Sequence, residues 1–191
     1  MEYNFKYSLT EDEFADFSAY TNWLSPQMKK HRIVYILKSV SYFYISFIAF
    51  IAIEFYFNPL QKHNYTIFKS VGVIGGLLFV LYLVFQTPFS IKAKAKKMLL
   101  KEENKHFLFE ADLFLNDNGI ASSDILSTNN YKWSSIVKFC ITQRCFYLYT
   151  NSIQALIIPK RLFKSQIDID QFEKFLSEKV PLSSSFRSIG I

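Results

Sequence analysis

Lys160 and Arg161 stand side by side in the stretch IIPKRLF. An ammonium next to a planar guanidinium can grip a phosphate or an anionic headgroup, because Arg meets phosphate with two parallel hydrogen bonds. The plainer reading gives Pro159 the end of a strand, turns the chain at Lys160 and Arg161, and uses Phe163 to plug a core. A second basic group, Lys92, Lys94, Lys96 and Lys97 with Lys101, follows a long apolar run. It reads either as the flank of a membrane span or as a site for anionic lipid.

Other chemistry is sparse. There is no Gly-rich phosphate loop, no HExxH and no nucleophile elbow. His31, His63 and His106 are scattered, and Glu11-Asp12-Glu13 and Glu102-Glu103 read as solvated helix ends. No catalytic, cofactor-binding or metal-ligating residue is therefore expected, and the protein is not expected to be an enzyme. Cys140 and Cys145 lack a CxxC or His-rich companion and read as two free thiols in a reducing compartment. The net charge of +6 arises with basic residues clustered beside apolar runs. An anionic leaflet accounts for that, so no nucleic-acid partner is implied. The first thirty residues are polar and do not have the pattern of a cleavable signal peptide.

The elements that must position these residues begin with Ser70–Ile91, which holds no charge between Lys69 and Lys92. At roughly 1.5 Å per residue it crosses the roughly 30 Å hydrocarbon core of a bilayer. Residues 33–57 form a second apolar run, interrupted by Lys38 and Glu54, which can snorkel from near its ends. Asn58-Pro59 ends that helix, and Gln61–Lys69 reads as a polar turn, giving a transmembrane hairpin over 33–91. Outside the hairpin lie Lys29, Lys30, Arg32, Lys38, Lys92, Lys94, Lys96, Lys97 and Lys101, against Lys62 and Lys69 in the turn. The excess places both termini in the cytoplasm, with two spans in the cytoplasmic (inner) membrane. Gly72 and Gly76 form a GxxxG spacing that lets another helix approach, either the first span or a second copy in a homo-oligomer. Pro88 is expected to kink or end the second span near the interface.

Residues 1–32 read as an alternating strand (3–9) and an amphipathic helix. Thr10 is its N-cap, with Glu13 completing a capping box. Ser25-Pro26 interrupts it. Residues 92–181 open with a lysine-rich helix and continue as about five short antiparallel strands. A hairpin turn falls at Asn116–Gly119, with Gly119 free to take positive φ, and another at Thr128-Asn129-Asn130. Asp168 opens a closing helix whose Ile169, Phe172, Phe175, Leu176 and Val180 share a face. Residues 182–191 read as a flexible tail. The expected fold is thus a membrane α-helical hairpin plus an α+β cytoplasmic domain, an antiparallel sheet of pleckstrin-homology-like (PH-like) pattern closed by a C-terminal helix. The strand at 3–9 is on hand to complete that sheet.

The stretches Tyr131-Lys132-Trp133-Ser134-Ser135-Ile136 and Ile157 to Phe163 resemble the YcxB-like family of bacterial membrane proteins. The motif residues are Tyr131, Trp133, Ser134, Ile136, Pro159, Lys160 and Phe163, and LTEDEF near the N-terminus fits the same family. The resemblance implies a PH-like cytoplasmic module on a membrane hairpin and little chemistry. On the residues themselves, Trp133 reads as a core anchor against the C-terminal helix or the N-terminal segment. Two functions follow as expectations. In one, the cytoplasmic module binds a protein partner or lipid. In the other, the chain is a membrane-embedded immunity protein, its spans and outer turn protecting against a pore-forming or membrane-targeting toxin.

Overall fold

The computed structural model describes residues 1–57, 65–180 and 186–187, except the side chains of 65, 66, 69, 186 and 187. The chain divides into a helical unit, Trp23–Ser90, and a sheet unit made of Met1–Asn22 together with Ile91–Ile191.

The helical unit holds α2 (Lys29–Phe57) and most of α3 (Tyr65–Leu99); α1 (Glu11–Ala19) belongs to the sheet unit. The basic residues Lys29–Arg32 form the first turn of α2, and Arg32 Nη1 donates to the Trp23 carbonyl (2.5 Å). Pro88 lies inside α3, which runs on to Leu99, so of the expected kink or end, the end does not occur there. Pro88 cannot donate to the carbonyl four residues back. Just before it, Thr87 Oγ1 donates to Leu83 O (2.6 Å), a local hydroxyl bond of the kind that accompanies proline inside apolar helices. Residues 65–69, expected as part of the turn, are the first residues of α3, while 58–64 of that turn lie outside the described residues. Pro26–Phe57 and Ser70–Leu99 are each long and apolar enough to cross a membrane, and each holds an 18-residue stretch of mean hydropathy 1.9.

Gly72 and Gly76 face α2. A Cβ on Gly72 would lie 2.8 Å from Phe47 Cε1, and one on Gly76 would strike the Tyr44 hydroxyl. Phe43 stacks on Phe79 with ring centroids 5.0 Å apart. The small residues therefore make room for aromatic rings of the same chain, the intrachain reading of GxxxG.

In the sheet unit, β1 (Tyr3–Tyr7) pairs antiparallel with β2 (Ala111–Leu115), Phe5 opposite Leu113. β3 (Ile120–Asp124) and β4 (Thr128–Tyr131) extend this sheet in the order β1-β2-β3-β4. A second sheet comprises β5 (Lys138–Ile141), β6 (Cys145–Tyr149) and β7 (Ala155–Pro159), with the two-residue β8 (Phe186–Arg187) parallel to β5. Among the described residues the expected run of short strands thus forms two four-stranded sheets. Of the tail expected at 182–191, only Phe186–Arg187 lies among the described residues.

Local details depart from sequence expectation for identifiable reasons. Thr128-Asn129-Asn130 is strand, because Asp124 makes the turn earlier by accepting the Leu126 and Ser127 amides (2.8 Å each). Phe107–Phe109 is not strand: Glu102–Leu108 is a 3-10 segment whose Phe107 packs on Phe14. Trp133–Ser135 is likewise a 3-10 turn between strands. Gly119 has no positive φ. Glycine is needed there for space, since a Cβ would sit 2.5 Å from the Tyr131 carbonyl oxygen. Asn116 Oδ1 supplies the turn by accepting the amides of Asn118 and Gly119 (2.9 and 3.1 Å).

The main core lies between the sheets and α4 (Gln166–Lys179). Ser165 is the N-cap of α4, and Asp168 is its N3 partner in a capping box rather than its first residue. Phe172, fully buried, meets the rings of Tyr3, Phe5, Phe146 and Phe163 at 4.8, 5.8, 5.1 and 5.0 Å. Every residue of β6 is buried, because its two faces are both covered. Phe146 and Leu148 enter the α4 core, while Cys145, Tyr147 and Tyr149 meet Phe14, Phe17 and Tyr20 of the N-terminal helix. Both cysteines are buried, and neither is in a disulfide.

Candidate functional site

The charged centre of the sheet unit is built on α1 (Glu11–Ala19). Its capping box forms as expected: Thr10 Oγ1 accepts the Glu13 amide (3.2 Å) and Glu13 Oε2 accepts the Thr10 amide (2.9 Å). That box aims the Glu13 carboxylate at Arg161. Arg161 Nε donates to Oε1 (2.7 Å) and Nη2 to Oε2 (3.1 Å), a fork-to-fork pair, and Nη2 also donates to the Ser8 carbonyl (2.7 Å). Burial pushes the Glu13 carboxyl up, but the guanidinium and the Thr10 amide outweigh it and hold the carboxyl below its ordinary range. The same pairing raises Arg161.

This geometry bears on the phosphate-grip reading of Lys160 and Arg161. The Arg161 fork is engaged by a buried carboxylate of its own chain. Lys160 lies with Nζ 5.2 Å from the Phe146 ring centroid, and its amide donates to the Arg144 carbonyl (2.7 Å). Pro159 ends β7 and Phe163 enters the core between Phe5 and Phe172, as the plainer reading expects.

The lysine run divides by helical position. Lys92 and Lys96, one turn apart, meet α1: Lys92 Nζ reaches Asp16 Oδ1 at 2.6 Å, and Lys96 pairs with Asp12. Arg144 adds a second cation to Asp16 (3.2 Å). Lys94 and Lys97 are exposed and make no ion pair among the described residues. One helix thus gathers four cations from three distant parts of the chain. Spacing revealed only its cap.

Trp133 anchors the core edge: its ring meets Phe175 of α4 at 5.6 Å, and Nε1 donates to the Asn116 carbonyl (2.8 Å). Tyr131 and Ile136 contribute to the same core, and Ser134 lies in the 3-10 turn. The motif residues thereby hold β4 and its neighbouring turn in place. Beside them is an open groove of about 320 Å³, lined by Phe114, Asn116, Asn118, Asn130, Tyr131 and Lys132 among others. Lys132 is its single charged residue. Among the described residues no strand pairs with the outer side of β4, where Thr128, Asn129 and Asn130 are exposed. Sequence reasoning missed this edge because it read those residues as a turn.

No group of three or more His, Cys, Asp or Glu is placed to hold a metal among the described residues. His31 is in α2 and His106 in the 3-10 segment, while His63 lies outside the described residues. Burial pushes the Cys145 thiol up to about 12.

A family profile, that of YcxB-like protein, matches residues 115–176, from the end of β2 into α4. Over this segment, which carries both the YKWSSI and IPKRLF stretches, the chain is similar to that family. No curated protein and no solved structure matches the chain.

Proposed function

We propose that this chain is a non-catalytic integral membrane protein, crossing the cytoplasmic membrane twice with both termini inside, whose PH-like sheet unit binds a protein partner. Support for the membrane part comes from the outward faces of the two long helices. Ile45, Ile48, Leu77, Leu78 and Phe85 are each more than three-fifths exposed, and no residue of α2 is buried. On insertion scales each such side chain favours the bilayer by about 0.3–0.6 kcal/mol. The charge count outside the apolar runs supports the orientation.

The partner reading rests on one observation, the open β4 edge beside its groove. An extended peptide can add to such an edge through main-chain hydrogen bonds while side chains enter the adjoining recess. Asn116, Asn118, Asn130 and Lys132 offer amides and an ammonium but no acid, which suits peptide carbonyls and carboxylates. The engaged Arg161 argues against a headgroup grip at Lys160 and Arg161.

The test uses the full chain in its native membranes. Alkaline carbonate should leave it in the membrane pellet, and release would overturn the membrane reading. A photo-crosslinker at Asn129 should capture one protein that the same group at exposed Lys174 does not, and Lys132→Glu should reduce that capture. Equal capture at both positions, or none, would overturn the edge-binding reading.

A further inference from the structure

The β3–β4 turn carries two large apolar residues where polar ones are usual. Ile125 and Leu126 are 78% and 68% exposed. The turn is nevertheless well held. Beyond the bonds already given to Asp124 Oδ1, the Asp124 amide donates to Ser127 O (2.9 Å), and the Ser123 and Thr128 hydroxyls meet at 3.0 Å. The rest of the hairpin is polar, SSD on one strand and TNN on the other. A rigid tip therefore presents two side chains whose full removal from water would each gain about 1.5–3 kcal/mol.

The segment that follows the apolar part of α3 has the same mixed character. Leu100 is 68% exposed, and Phe107 and Phe109 are half-exposed, on the stretch that follows the exposed Lys94 and Lys97. Ala111 pairs opposite Asp124 in the β2–β3 ladder, so Phe109 and Glu110, which lead into Ala111, lie at the same end of the sheet as the hairpin tip. Exposed apolar side chains on a segment covalently continuous with a candidate span, preceded by the exposed Lys94 and Lys97, match an anionic bilayer surface better than a protein groove.

We propose that Ile125 and Leu126 dip into the headgroup–acyl boundary of the bilayer that α3 enters, with Lys94 and Lys97 meeting anionic headgroups. This rests on the membrane reading above and deepens it, since it orients the open β4 edge relative to the lipid surface. It assigns the bilayer, not a protein, as the occupant of the tip.

The experiment is nitroxide accessibility on the full chain in nanodiscs containing anionic lipid. Labels are placed at Leu126→Cys and, as a span reference, at Leu78→Cys. The buried native thiols remain in place. Both labels should respond more to lipid-dissolved oxygen than to a water-soluble nickel chelate. A lipid response at 78 with an aqueous one at 126 would overturn this inference and leave the membrane reading standing. An aqueous response at both would overturn both. A hydrogen-exchange measurement provides the second readout. Amides 125–128 should exchange more slowly in nanodiscs than in detergent, and Ile125→Ser with Leu126→Ser should abolish that difference. Equal exchange in the native chain would count against the proposal.

Discussion

Replacing Arg161 with Met removes the cation from a carboxylate that its own helix cap has aimed. Glu13 is 6% exposed, so after the change its charge stays in the interior with the Thr10 groups as remaining partners. Breaking a fully buried pair costs about 3–5 kcal/mol, and a surface pair is worth about 0–1. The Arg161 side chain is 47% exposed, so the expected loss lies between these, at about 2 kcal/mol. For a unit of this size that is a fall in Tm of roughly 6–10 °C. The assay is Trp133 fluorescence during thermal unfolding of the full chain in a Trp23→Phe background. A double-mutant cycle with Glu13→Gln should give a coupling of at least about 1 kcal/mol. The pH dependence follows from the depressed Glu13 carboxyl. A group lowered on folding stabilises above its unfolded value, here the ordinary 4.5, and that stability disappears as pH falls through the folded value. Wild type should therefore lose stability on acidification below about 4.5 more steeply than Glu13→Gln. A cycle coupling near zero, with parallel pH curves, would refute the latch.

Gly76→Leu should lower thermal stability in detergent by about 1–3 kcal/mol, since its side chain must displace Tyr44, while Gly75→Ala, whose Cβ would meet Phe43 at 3.4 Å, should change little. Gly119→Ala should destabilise the sheet unit by about 1–3 kcal/mol, read as earlier loss of Trp133 fluorescence, because the obstacle is the Tyr131 backbone and not a movable side chain. With its thiol near 12 and buried, Cys145 should resist iodoacetamide at pH 8 in the folded chain and react promptly in denaturant; rapid labelling of the native protein would contradict the burial.

What could be read in the sequence was local or periodic. The Thr10–Glu13 box depends on residues three apart, and the buried stripe Phe172, Phe175, Leu176 and Val180 follows helical spacing. The two long apolar helices were equally plain. The β4 strand was hidden because Asn and Thr suggest turns, and the deciding group was the Asp124 side chain just upstream. Gly119 was recognised as special for the wrong reason, since a carbonyl from a later strand makes the constraint. The Glu13–Arg161 pair joins residues 148 apart, and no spacing rule connects them. The long-range pairings of Lys92, Lys96 and Arg144 were illegible for the same reason, so a set of ion pairs looked like two free basic patches.

The pairing of β1 with β2 also sets an order of events during synthesis. Tyr3–Tyr7 leaves the ribosome ahead of both long helices, yet its ladder partner Ala111–Leu115 emerges only after them. At about 5–20 residues per second that is a wait of several seconds, with an aromatic strand edge unpaired throughout. Arg161 and the α4 ring cluster come later still. The β1 segment is thus made before both long helices and among the last parts of the sheet unit to be secured. Any factor that shields nascent chains would be needed most at residues 3–24, and a stalled or truncated product would advertise itself through that same exposed strand.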